Sequence, residues 1–228
     1  MKKVIFGIFA HPDDEAFGPS GTLLMETKAG NDVHLITLTL GDAGTNPDNH
    51  PDLATVREKE WHDAGKLMGA KSLHYLGYKD GQLDNLSMIQ IQQKLLAHID
   101  DIIEKESSDI EIEFMSMDTN GISGHIDHIV AGRSACYVFY TLKERDSRVT
   151  RIRLVCIPKS QLPTSNTHWL YMDAGREEKE ISETVDGSEY HDEIIKIMRT
   201  HHSQRNDGES HIKHRGDQLG VSHFIVKY

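Results

Sequence analysis

Val4-Ile5-Phe6-Gly7-Ile8 runs straight into Phe9-Ala10-His11-Pro12-Asp13-Asp14-Glu15, an apolar stretch that ends in one imidazole and three carboxyl groups. A continuous apolar run of this length reads as a strand buried on both faces. Polar, ionisable residues at the end of such a strand mark the place where an open α/β sheet builds its sites. Pro12 fixes φ and stiffens the turn. His11 and Asp14, three apart as strand passes into helix, can face one ion. Asp13 then points elsewhere, as a base beside a Lewis acid. Acidic residues alone at a helix start would only complement the dipole. His11 alters that reading, because the same dipole disfavours an imidazolium and suits a neutral, ligating ring.

Outward from this stretch, strand-like and helix-like patterns alternate. Strands are expected at 3–9, 33–40, 72–76, 110–116 and 151–157, with helices at about 15–29, 53–69, 86–106 and 126–142. Met88, Ile91, Leu95, Ile99 and Ile102 recur at spacings of three and four, the mark of an amphipathic helix. Leu67 and Met68 run into Gly69, a helix stop. This order implies an α/β, Rossmann-like, mostly parallel sheet with helices on both faces. After about residue 159 the pattern loosens, leaving a short strand near 179–184, a helix near 190–201 and a terminal strand near 222–228. Residues 1–228 are read as one domain with this looser C-terminal part. Gly41–Pro51 is a long Gly/Asn/Asp/Pro-rich loop of the kind that forms substrate walls.

A second cluster, Gly124-His125-Ile126-Asp127-His128, again follows an apolar strand and opens a helix. In a doubly wound sheet the first strand commonly neighbours the fourth, and the crevice between them is the switch point. Both clusters would open there, giving three His and several carboxylates enough to hold a divalent metal and leave an acid and a base over.

Composition narrows the function classes. Two scattered cysteines, Cys136 and Cys156, make neither a disulfide framework nor a Cys-type zinc knuckle, and suit a cytoplasmic setting. No run reaches the length of a membrane span, and the N-terminus lacks the pattern of a signal peptide. The net charge of −11 argues against nucleic-acid binding. A homo-oligomer is left open.

The AHPDDE block at 10–15 together with GHIDH at 124–128 resembles the LmbE-like, or PIG-L, zinc deacetylases. Between and beyond them Thr39–Gly44, Arg57-x-x-Glu60, Leu76–Gly81 and His201-His202-Ser203-Gln204 fit the same pattern, so the likeness covers nearly all of residues 1–205. It implies a Rossmann-like fold and removal of an acetyl group from a small N-acetylglucosamine-containing molecule. His11, Asp14 and His128 would hold one Zn2+ per chain, with another divalent metal such as Fe2+ as the alternative. Asp13 would be the general base, a protonated His125 would stabilise the oxyanion, and Asp127 would orient a neighbouring imidazole. Arg57 and Asp80 match sugar-contacting positions. Their ordinary readings are an Arg57–Glu60 pair on a helix face and a surface turn at Asp80.

Three rivals compete. Non-haem iron oxygenases use similar ligands, but with His-x-Asp spacing on a β fold. A non-catalytic metal- or sugar-binding protein would not need both Asp13 and His125. A zinc amidohydrolase acting on a non-sugar N-acyl substrate is the nearest alternative. His62, His74, His98, His168, His191, His211, His214 and His223 have no carboxylate at ligand spacing and are read as surface or packing residues. His201 and Gln204 are read either as reaching the pocket rim or as a helix-end cap. Specificity is expected to lie in loops 41–52 and 159–190.

Overall fold

The computed structural model describes residues 1–162 and 175–228. Among them, β1 (Lys2–Phe9), β2 (Asp32–Thr39), β3 (Ser72–Tyr78), β4 (Ile110–Met117), β5 (Val149–Cys156), β6 (Glu183–Asp186) and β7 (Val221–Lys227) form one sheet. Its order is β3-β2-β1-β4-β5-β7-β6. The first five strands are parallel, and β7 runs antiparallel to both β5 and β6. The helices are α1 (Asp14–Phe17), α2 (Ser20–Lys28), α3 (Leu53–Met68), α4 (Asn85–Ile103), α5 (Ile126–Lys143), α6 (His191–Thr200) and α7 (Arg205–Arg215).

The unbroken apolar run of β1 is explained by its two faces. Val4, Phe6, Ile8 and Ala10 pack with Leu95 and Ile99 of α4, Phe139 of α5 and Phe114 of β4. Ile5 and Phe9 point the other way, into a core with Leu23, Trp61, Ile194 and Phe224. A strand covered on both sides loses the alternation of a half-exposed one. Gly7 belongs to the second face, where an added Cβ would meet the Phe9 ring at 2.9 Å and Leu35 at 3.0 Å. The helical spacing in α4 delivers its apolar stripe as expected, with Ile91, Leu95 and Ile99 fully buried.

Three departures have physical causes. The helix expected at 15–29 is two helices, α1 and α2, broken at Gly18-Pro19, because proline lacks an N–H and restricts the residue before it. The strand expected near 179–184 begins later, at Glu183, since Glu178–Glu180 is a 3-10 turn. Helix α7 went unread: its sequence, RNDGESHIKHR, has a single large apolar residue, Ile212, and therefore no stripe to detect.

Charged residues also enter the sheet. Arg153 of β5 lies 2.8 Å from Glu26 and 3.1 Å from Glu113, and Lys3 of β1 lies 3.3 Å from Glu113. Charges so deeply buried are tolerated only when paired in this way.

His34, on β2, is buried against the Phe6 ring and contacts Ser72 Oγ through Nδ1 at 2.7 Å. Burial, with a smaller contribution from the Lys71 charge, pushes its pKa down to about 4. The unfolded chain therefore binds a proton here that the folded chain does not between pH 6.5 and about 4. The contribution is complete above the unfolded value and is lost as pH falls. The urea midpoint of wild type should accordingly fall, relative to that of His34→Leu, between pH 6.5 and 4. A constant difference across that range would show that His34 does not titrate.

Candidate metal centre and active site

β1 is hydrogen-bonded to β2 on one side and to β4 on the other, so the chain reverses its direction of travel across the sheet at the β1/β4 boundary. Both motifs leave the carboxyl ends of these adjacent strands. After Phe9 the chain turns through His11-Pro12 into α1. After Met117 it turns through Gly121, Ile122 and Gly124, all at positive φ, and enters α5 with His125 as N-cap. The two corners meet.

His11 Nδ1 lies 3.2 Å from His128 Nε2, His128 Nε2 lies 3.2 Å from Asp14 Oδ1, and Asp14 Oδ2 lies 3.8 Å from His11 Nδ1. Hydrogen bonds on the far side of each ring fix what these atoms are. His11 Nε2 faces two carboxylates, Asp80 Oδ1 at 2.9 Å and Asp127 Oδ2 at 3.4 Å, so it carries the proton. His128 Nδ1 faces the Gly121 carbonyl at 3.2 Å and must donate to it. With those bonds kept, His11 Nδ1, His128 Nε2 and an Asp14 oxygen are the atoms turned toward one another. A tetrahedral ion with bonds of about 2.0–2.1 Å needs ligand atoms roughly 3.3 Å apart, close to these separations. The donor set fits a divalent ion such as zinc.

The carboxylates also define the charge this centre requires. Burial alone would lower the pKa of His11, but its bonds to Asp127 and Asp80 and the charge of Asp14 outweigh it and push it up to about 10. Burial likewise opposes ionisation of Asp14, yet His128 and His11 hold it well below the usual carboxylate range. Asp14 Oδ2 further accepts from the amides of Ala10 and His11, both at 3.0 Å. Three carboxylates, of Asp14, Asp80 and Asp127, thus surround the one His11 ring and favour positive charge there. His11, Asp80 and His125 form a second group close enough to share an ion. It would use His11 Nε2, the nitrogen whose proton already binds Asp80, so the first group is the better ligand set.

Asp13 sits beside this centre in a left-handed conformation, φ 104°. Its amide donates to Glu15 Oε2 at 3.1 Å, and its Oδ2 accepts from Arg57 Nη2 at 3.0 Å. Burial raises the Asp13 pKa to about 6 against the opposing charge of Arg57. Arg57 also donates to the carbonyls of Pro12 and Gly41. Gly41, at φ 66°, allows this approach, because a Cβ there would fall 2.3 Å from the guanidinium carbon. His125 Nδ1 accepts from the Asp127 amide at 3.1 Å, which leaves Nε2 as the protonated nitrogen. Burial and the neighbouring His128 and His11 lower its pKa, which favours the neutral ring.

Every site residue read from the sequence thus lies in one neighbourhood, with Asp127 Oδ2 3.4 Å from His11 Nε2. Arg57 and Asp80 are nearly buried, at 4% and 7% exposure, and their bonds run to Asp13 and His11. The Arg57–Glu60 pair is not formed, since Glu60 accepts from Ser203 instead. His201 is a buried C-cap of α6 bonded to Glu15 at 2.9 Å, a link no local pattern announces. The remaining histidines do pack or lie at the surface: His74 stacks on His98 with 3.6 Å between ring centroids, and His211 on Phe17. His168 and part of the 159–190 loop lie outside the described residues.

The α/β sheet thus carries at its switch point a two-histidine, one-carboxylate donor set that could hold a metal ion in the crevice. The family description of PIG-L, GlcNAc-PI de-N-acetylase, matches residues 6–139, more than half of the chain, and the chain belongs to that family. A probable N-acetyl-alpha-D-glucosaminyl L-malate deacetylase 2 of Bacillus anthracis is 30% identical over 142 residues. That match spans 60% of this chain and only 59% of the relative's length. The N,N'-diacetylchitobiose deacetylase of Pyrococcus horikoshii shares the fold at TM-score 0.69 and 20% identity, over 99% of this chain and 84% of that one. A 4-carboxy-2-hydroxymuconate hydratase from Pseudomonas putida also has a TM-score of 0.69, at 14% identity, over 100% and 97% of the two chains. The architecture alone therefore does not fix the reaction. Among the described residues no helix is long and apolar enough to cross a membrane.

Purified protein should bind one divalent ion per chain, read by elemental analysis. Asp14→Ala and His128→Ala should abolish retention. Asp80→Asn, which alters the bond on the far side of His11 and the one to the Ala43 amide, should weaken affinity by about 10–100-fold. Complete loss in Asp80→Asn with retention in His128→Ala would assign the ion to the second group instead.

Proposed function

We propose that this chain is a zinc-dependent hydrolase that removes the acetyl group from a small N-acetylglucosamine-containing molecule. The observation that carries the reading is Asp13, an independently held carboxylate placed beside the His11/Asp14/His128 donor set. A metal-binding protein has no use for it, whereas amide hydrolysis needs a base there. The named activities of the relatives point the same way.

A zinc ion held by His11, Asp14 and His128 would supply Lewis acidity and bring the pKa of water down to about 7. Asp13 takes the proton of the attacking water. Arg57 fixes one of its oxygens and so aims the other. As the amide carbon becomes tetrahedral, negative charge develops on its oxygen, and the Nε2–H of His125 donates to it. Because that N–H exists in the neutral ring, the donor is present on both sides of its titration. Asp13, now protonated, returns its proton to the departing nitrogen, giving acetate and a free amine. Asp127 and Asp80 hold His11 in the tautomer that keeps Nδ1 free of a proton.

Residues 1–228 act as one unit in this scheme, since loop 41–52 is tied to the C-terminal region through Asp48–Arg205 at 2.6 Å and Thr45–Gln204 at 3.0 Å. That loop forms the wall where the sugar is distinguished.

The test is acetate release from a panel of N-acetylated sugars and non-sugar N-acyl amines, with and without chelator. Chelator-sensitive release from the sugars is expected. Release that ignores the chelator, or is confined to the non-sugar amines, would refute the reading. Asp13→Ala should lower turnover by about 10²–10⁴-fold. His125→Ala should lower it by about 10²–10³-fold, and both variants should keep their metal.

A further inference from the structure

We propose that Glu15 and His201 form a buried positioning pair whose task is to hold Asp13 in its left-handed conformation beside the metal centre. The role of Asp13 as base rests on the reaction proposed above. The two side chains are 0% and 1% exposed. Glu15 divides its carboxylate: Oε2 accepts from the Asp13 amide at 3.1 Å, and Oε1 accepts from His201 Nε2 at 2.9 Å. A non-glycine residue at φ 104° persists only where its surroundings over-determine it, and this amide bond is one of the restraints. His201 Nδ1 is buried without a partner, so the bond to Glu15 is the one hydrogen bond the ring makes among the described residues.

The rest of the His201–Gln204 turn supports the same assignment. Ser203 binds Glu60 through its amide at 2.9 Å and its hydroxyl at 2.7 Å, and Glu60 lies one helical turn along α3 from Arg57. Gln204 donates to the Thr45 carbonyl at 2.8 Å, in the loop whose Gly41 carbonyl accepts from Arg57. One turn of chain near the C-terminus thus reaches all three segments that meet at Asp13. It holds the Asp13 backbone through Glu15, the helix that carries Arg57, and the loop that receives it. Packing alone would not require these three contacts to come from three of the four positions of one turn.

The experiment compares wild type with Glu15→Gln, His201→Ala and His201→Gln in the full chain, using the N-acetylated sugar that wild type hydrolyses fastest. His201→Ala should lower kcat by about tenfold or more with KM within about twofold, and zinc should remain at one per chain. His201→Gln, whose amide can donate to Glu15, should recover most of the loss. Glu15→Gln replaces one acceptor by a donor and should reproduce the kcat loss with KM and zinc kept, which carries the test should His201→Ala fail to fold. Hydrogen exchange at the Asp13 amide should rise about tenfold in His201→Ala while β4 stays protected. That readout needs no substrate, so a wild type inert on every sugar would sink the proposed reaction and still leave the positioning role decidable. Unchanged kcat and exchange, or loss of zinc alongside kcat in both His201 variants, would overturn the proposal.

Discussion

The structure depends on two imidazole nitrogens facing each other across 3.2 Å with a carboxylate at their side. Such a cluster is held together by positive charge at its centre, which a proton on His11 or a bound divalent ion supplies. His11 cannot turn its protonated nitrogen inward without abandoning Asp80 and Asp127, and His128 cannot do so without abandoning the Gly121 carbonyl. The chain commits backbone and side-chain bonds to keep these ligand-type atoms convergent.

That cluster exists because two parallel strands are neighbours. β1 and β4 are more than a hundred residues apart in sequence, yet pair over Lys2–Ile8 and Ile110–Ser116. Their carboxyl ends then release His11 and His128 on the same side of the sheet. The two-faced core secures this pairing: β1 is clamped by Phe114 and Phe139 from one side and by Trp61 and Phe224 from the other. A slip of one residue would exchange the faces and separate the ligands.

Around the His11/Asp14/His128 donor set lies a layer of supporting groups. Asp80 and Asp127 set a tautomer, Arg57 and Glu15 restrain Asp13 from opposite ends, and the His201–Gln204 turn ties these supports together. The hydratase that shares this architecture shows that a fold of this kind can host other chemistry. On that architecture this chain places the donor set next to Asp13, which Arg57 and Glu15 anchor separately.

By itself the sequence determined the alternating α/β order, the unbroken strand β1, the stripe of α4 and the two His/Asp corners, because each is written in local spacing that survives without its neighbours. It could not break the first helix correctly without weighing Pro19, and it could not see α7, whose lone Ile212 leaves no periodicity. Nor could it show that Arg57 turns inward to Asp13 instead of pairing with Glu60, or that His201 belongs to Glu15, 186 residues away. Those partnerships were decided by the tertiary structure alone: burial removes water as the competing hydrogen-bond partner, so each charged group takes whichever complementary atom the fold brings within reach.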